Sequence, residues 1–152
     1  MDSPVSHEKI DVAIISNADP RQIRDIYIDA GWWESEYDKN ISFLDRIVMG
    51  SFCFVGAFDE SGRLVGMGRA LSDGCSDAYI QDISVLKSHR GKGIGRRIVR
   101  KIVEHLNSCG VDWIGLVGEP GTEKFYRSMH FNRMQDFIPM IYRPGKELEG
   151  GL

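Results

Sequence analysis

The stretch Tyr79-Ile80-Gln81-Asp82-Ile83-Ser84-Val85-Leu86-Lys87-Ser88-His89-Arg90-Gly91-Lys92-Gly93-Ile94-Gly95-Arg96-Arg97 decides the fold. Tyr79–Val85 is strand-like, and an amphipathic helix is expected from about Arg96 to Asn107. Gly91, Gly93 and Gly95 stand at the junction between them. Alternate glycines leave the backbone N–H groups bare, beside a helix N-terminus that already favours anions. Lys92, Arg96 and Arg97 crowd the positive end of the helix dipole, where cations are disfavoured. A bound polyanion removes that conflict, so Arg90–Arg96 reads as a pyrophosphate-binding loop. A glycine-rich turn without a ligand is the alternative.

Spacing separates this loop from other phosphate loops. A nucleotide-triphosphatase loop needs GxxxxGK followed by Ser or Thr, and no such run occurs. A dinucleotide fingerprint needs GxGxxG, usually after a first strand. Here the glycines read GxGxG, in the second half of the chain.

Outward from the loop, the elements alternate. Asp11–Ser16 is a first strand. Asp19-Pro20 offers a helix N-cap followed by Pro at N1, with Ile23, Ile26, Tyr27 and Ala30 as its buried stripe and Gly31 as its stop. Ser42–Asp45 resembles a capping box that opens a second helix to about Met49. Strands follow at 52–58, 64–71 and 78–86, separated by turn signals at 59–62 and Asp73-Gly74. The long helix buries Ile98, Val99, Ile102, Val103 and Leu106 and ends at Gly110. Beyond it come a strand at 113–117, a helix over 122–129, and strands near 131–134 and 137–142. This order predicts one α/β (α+β) domain over 10–143 between loose ends, 1–9 and 144–152. Its sheet is mixed and mostly antiparallel, with helices on both faces.

With 152 residues, 42% of them hydrophobic, the chain can bury one core but not two. A net charge of −3 disfavours a general nucleic-acid binder. No apolar run approaches the roughly 18 residues of a membrane span, and the N-terminus lacks a signal-peptide pattern. Cys53, Cys75 and Cys109 are odd in number and lack metal or disulfide spacing, which points to a reducing cytoplasm and no metal site.

The run RGKGIG after ISVLKSH resembles the acetyl-coenzyme A loop of the GNAT acyltransferase superfamily, Gln/Arg-x-x-Gly-x-Gly/Ala. Arg90, Gly93 and Gly95 fill its fixed positions. The element order over about residues 10–143 is similar too. So is the Phe125-Tyr126 pair followed by Phe131, although His130 stands where the superfamily usually has glycine. The finer pattern looks most like the small-amine branch that includes aralkylamine (serotonin-type) acetyltransferases.

The resemblance implies an acetyl-CoA-dependent N-acetyltransferase acting by direct transfer in a ternary complex. The acceptor would be a primary amine. Transfer of another acyl group, or a silent acyl-CoA-binding regulatory module, are the alternatives, and a homodimer is an open option. The superfamily's strand before the loop parts from its neighbour, so Ile83, Ser84 and Val85 would pair with the pantetheine amides. A backbone N–H near Ile83 would face the thioester oxygen. Arg90, Gly91, Lys92, Gly93, Ile94, Gly95 and Arg96 would hold the pyrophosphate, with Lys124 and Phe125 flanking the cofactor.

Transfer also needs an acid for the departing thiolate and an acceptor for the amine's proton. Tyr126 suits the first, since a phenol's pKa near 10 lies close to a thiol's; a packing role is the alternative. Asp82, a carboxylate in an apolar strand on the face opposite Ile83 and Val85, suits the second. A structural role for Asp82 is equally open, and Tyr79, Asp77 and a water chain are its rivals. Trp32, Trp33, Glu34 and Tyr37 mark an aromatic, acidic loop suited to an ammonium group through cation–π and charge contacts. Tyr79 joins them as a candidate acceptor contact.

Overall fold

β1 (Asp11–Ile14), β2 (Cys53–Phe58), β3 (Leu64–Ser72) and β4 (Asp77–Val85) pair in chain order as an antiparallel meander. β5 (Trp113–Leu116) then adds parallel to β4. The computed structural model describes residues 8–145. They fall into two compact units, divided after Leu116. Of the ends read as loose, 1–7 and 146–152 lie outside the described residues.

The first unit carries the sheet and three helices: α1 (Pro20–Asp29), α2 (Phe43–Gly50) and α3 (Ile94–Ser108). α3 begins two residues before the expected start, so Ile94 and Gly95 lie in its first turn. Its stripe of Ile94, Ile98, Val99, Ile102 and Leu106 is buried. Gly66 and Gly68 of β3 lie beneath it. A Cβ at Gly66 would meet Ile98 and Ile94, and one at Gly68 would overlap Ile83 and approach Ile98 Cγ2 at 2.8 Å. The helix therefore sits close on the sheet because β3 lacks side chains there. Each buried aliphatic side chain contributes about 1.5–3 kcal/mol.

The helix ends follow the sequence signals in most places. Asp19 Oδ1 accepts from Arg21 N at 2.9 Å, with Pro20 at the first helical position. Gly31 (φ 78°) ends α1, with Trp32 N–H donating to Tyr27 O at 2.9 Å and Gly31 N–H to Ile28 O at 3.0 Å. That Schellman closure lays Trp32 against Tyr27, ring centroids 6.1 Å apart. Gly110 (φ 85°) ends α3 in the same way. The expected capping box at Ser42 is absent. Ser42 lies in the helical region and makes no side-chain cap; its own N–H donates to Asn40 Oδ1 at 3.0 Å.

The second unit holds α4 (Glu123–Arg127), shorter than the helix expected over 122–129. His130 takes the left-handed conformation (φ 70°) that a glycine would adopt more easily. Phe131 N–H then reaches Tyr126 O at 3.2 Å and His130 N–H reaches Arg127 O at 3.1 Å. The turn keeps its Schellman form despite the missing glycine. The two strands expected near 131–134 and 137–142 do not form among the described residues. Asp136 (φ 63°) closes a turn, with Phe137 N–H on Met134 O at 3.4 Å. Pro139 has no N–H to give a ladder. Phe137, Ile138, Met140 and Tyr142 stay exposed, at 73%, 79%, 92% and 88%.

Candidate active site

The site begins where β5 stops. β5 pairs with Asp77–Ile80 of β4 and no further, so among the described residues no strand lies beside Gln81–Val85 on that edge. Backbone direction alternates along an antiparallel strand. Leu86 N–H donates to Val65 O at 2.9 Å, and Ser84 stands opposite Met67 in the same phase. The N–H and C=O groups of Ile83 and Val85 therefore point the other way, into the gap. Arg90 Nε caps one of them, the Val85 carbonyl, at 2.8 Å.

The loop that follows is braced from α1. Asp29 Oδ2 accepts Lys87 N–H at 2.9 Å and lies 3.9 Å from Arg90 Nη2. The sequence reading missed Asp29, because 58 residues separate it from its partner and nothing local marks it. Gly91 (φ 76°) and Gly93 (φ 78°) are left-handed, and among the described residues no heavy atom lies within 4 Å of either would-be Cβ. These glycines serve backbone shape and leave the space outside the loop open. Gly93 is the N-cap of α3 and supplies no side-chain acceptor. The first helical N–H groups, on Ile94 and Gly95, have no acceptor within the helix. The Ile94 side chain is buried, so only its backbone can face a ligand.

The basic side chains are partly engaged. Arg97 Nη2 donates to Ile10 O at 2.9 Å, and Lys92 Nζ lies 3.2 Å from Glu8 Oε2. Lys92, with a smaller contribution from His89, holds the Glu8 carboxyl below its ordinary value. Glu8, Asp59 and His89 bring ligand-type atoms within 4.8 Å of one another. The Lys92 ammonium already meets the charge on Glu8.

Asp82 sits at a β-bulge. Met67 opposes Ser84 and Arg69 opposes Gln81, so Gly68 alone faces both Asp82 and Ile83. Asp82 has φ 57°, the left-handed region. Its Oδ2 accepts from Arg69 Nε at 2.6 Å and from Tyr27 Oη at 2.8 Å. Arg69 Nη2 also reaches Gln81 Oε1 at 3.3 Å. Burial, then the nearby Asp82 charge, pushes the Tyr27 phenol well above its ordinary value, so it remains a donor. Asp82 thus lies on the α1 face while Ile83 packs toward Gly68 and α3, as the alternation predicts.

The expected acceptor loop is an aromatic cluster. Trp33 stacks on Phe43 (5.9 Å, 14°) and meets Tyr37 edge-on at 5.3 Å, with Tyr27 6.4 Å away. Trp33 Nε1 donates to Asp38 Oδ1 at 3.2 Å, and Arg24 Nη1 stands 3.6 Å from the same oxygen. One of the loop's carboxylates is therefore already matched by a cation. Glu34 is exposed at the start of a 3₁₀ turn, Ser35–Lys39. Tyr79 makes its ring contact with Trp113, at 5.4 Å, rather than with a member of this cluster.

In the second unit, Tyr126 is half-buried between Phe125 (4.9 Å) and Phe131 (5.9 Å), both edge-on. Burial and the Glu119 charge raise its phenol above the ordinary tyrosine value. Lys124 is exposed on the same short helix. Among the described residues, no helix is long and apolar enough to cross a membrane.

The chain is similar to serotonin N-acetyltransferase 2, chloroplastic, of Oryza sativa subsp. japonica. The two are 37% identical over 95 residues, which is 61% of this chain and 48% of that protein. It spans about half the length of such curated relatives. A GNAT-family acetyltransferase from Streptococcus pneumoniae TIGR4 has the same fold at TM-score 0.76 and 24% identity, covering 91% of this chain and 100% of that one. An aminoglycoside N-acetyltransferase solved with CoA matches at TM-score 0.71 and 15% identity, covering 93% and 99%. The family model for acetyltransferases of the GNAT type matches residues 20–131. With that much of its length matched, the chain belongs to the acetyltransferase (GNAT) family.

Proposed function

We propose that this chain is an acetyl-CoA-dependent N-acetyltransferase whose acceptor is a small primary amine, with an aralkylamine as the favoured type. The observation that carries the reading is the continuity of two features. The open edge of β4 leads, through the short loop 86–93 with its two left-handed glycines, to a helix N-terminus whose N-cap, Gly93, offers no side-chain acceptor. An extended amide-bearing arm needs the first and a pyrophosphate needs the second. The open space at Gly91 and Gly93 is where the phosphates would lie, with Lys92 and Arg96 contributing charge.

Acetyl-CoA would supply an acetyl group activated as a thioester. Ile83 and Val85 present backbone groups to its pantetheine arm, with Ser84 between them, and Lys124 and Phe125 flank the cofactor. The Ile83 N–H would be the donor to the thioester carbonyl oxygen, where negative charge develops during acyl transfer. Tyr126 would be the acid that supplies a phenolic proton to the departing thiolate. The ammonium would first lose its proton to water held by Tyr79 and backbone carbonyls, and the free amine would then attack. Of the two roles open for Asp82, the reading takes the structural one, because its Oδ2 is committed to Arg69 and Tyr27.

The aromatic cluster of Trp32, Trp33 and Tyr37, with Glu34, supplies the acceptor side. Homodimerisation in a reducing cytoplasm completes the proposal, supported by the exposed apolar residues at 137–142 and by three free cysteines. The rice relative is chloroplastic by name. The test is a panel of amines incubated with acetyl-CoA and read by thiol release. Tryptamine and 2-phenylethylamine should give turnover above the no-amine rate; a flat panel with tight acetyl-CoA binding would identify a silent binding module instead.

A further inference from the structure

A left-handed aspartate inside a strand needs an explanation. Such a conformation costs an L-residue on the order of 1–3 kcal/mol, and it persists only where the surroundings over-determine it. Asp82 is placed at the first position of a bulge, where glycine is the usual occupant. Two donors from different elements meet one oxygen of its side chain: Tyr27 Oη from α1 and Arg69 Nε from β3. Arg69 is 15% exposed and Asp82 23%, so water competes weakly for the pair. Arg69 also reaches Gln81, the residue just before the bulge. On the opposite face Gly68 has no side chain, which leaves room for Ile83.

The bulge governs what reaches the gap. Beyond it, Ile83 and Val85 turn their side chains toward α3 and their N–H groups toward the unpaired edge. A strand without the extra residue would swap these faces. We propose that Tyr27 and Arg69 are positioning residues, which hold the Asp82 carboxylate and so fix the bulge that aims the Ile83 N–H into the gap beside β4. The inference rests on the proposed role of that N–H in transfer. Neither residue need touch a substrate to matter, since a misplacement of about 1 Å can cost about 100-fold in rate.

The experiment compares Tyr27→Phe, Asp82→Ala and Asp82→Asn, with acetyl-CoA and tryptamine as probes. Asn tolerates positive φ and still accepts from both donors, but it cannot take up a proton as a base. Tyr27→Phe and Asp82→Ala should lower kcat about 10- to 100-fold, with acetyl-CoA affinity within about threefold of the original. Asp82→Asn should retain about a third or more of kcat at every pH. If Asn is as impaired as Ala and recovers at high pH, Asp82 is the base and the inference falls. It also falls if Tyr27→Phe changes nothing. A second readout does not depend on turnover: amide exchange by NMR at Leu86, whose N–H is bonded to Val65 O just beyond the bulge, should quicken in Asp82→Ala and stay near the original in Asp82→Asn. If the unaltered protein gives no turnover on any amine, the proposed function fails. The positioning inference then stands or falls on that exchange result.

Discussion

Replacing Gly93 by alanine separates the shape of the loop from the stability of the fold. Gly93 has φ 78°, and none of the described residues comes within 4 Å of the added Cβ. No clash arises, so the cost to the fold is that of a left-handed alanine, about 1–2 kcal/mol. For a chain of this size each kcal/mol lowers Tm by roughly 2–4 °C. The apo variant should therefore melt about 2–8 °C below the original. The binding cost is larger, because the same Cβ enters the space assigned to the pyrophosphate and the strain tilts the N–H groups of Ile94 and Gly95. Acetyl-CoA at 100 times its Kd should raise the original's stability by about 2.7 kcal/mol, and about half of that gain or more should vanish in Gly93→Ala. Calorimetry would show Kd weakened tenfold or more, a loss of at least about 1.4 kcal/mol. A variant that melts lower yet binds acetyl-CoA with unchanged affinity would refute the reasoning.

Three further outcomes follow from other sites. Tyr126→Phe should lower kcat by about 10²–10⁴ with acetyl-CoA affinity nearly intact. Because burial and Glu119 raise the Tyr126 pKa, the phenol keeps its proton through the neutral range. A pH–rate profile should therefore show no Tyr126-dependent loss below the ordinary tyrosine value near 10. His130→Gly relieves a left-handed side chain and should raise stability by about 0.5–1 kcal/mol in denaturant melts, since the added chain freedom offsets part of the gain. Gly68→Ala, by contrast, pushes a methyl into Ile83 and Ile98 and should cost about 1–3 kcal/mol.

Much of the fold was legible because its signals are local. Gly31 and Gly110 end helices at the residues where the amphipathic pattern stops. Asp19-Pro20 opens α1 as its types predict, and the glycine loop lies between β4 and α3. The two late strands were misread because apolar content at 137–142 outweighed Asp136 and Pro139. Pro139 has no N–H for a ladder, and Asp136 turns the chain in the left-handed region. The bulge at Asp82 left no trace in the sequence, since a strand with an inserted residue still reads as alternation on either side. The clamp on it was illegible for a different reason: Tyr27 and Asp82 lie 55 residues apart and meet only once α1 packs on the sheet. Asp29 and the loop it braces follow the same rule.

The proposed coenzyme A site is continuous from the free edge of β4 to the N-terminus of α3. Amide NMR during a coenzyme A titration tests this most directly. The N–H signals of Ile83, Val85, Ile94, Gly95 and Arg96 should move together with a single Kd. Saturable binding that leaves those five amides in place while shifting others would contradict it.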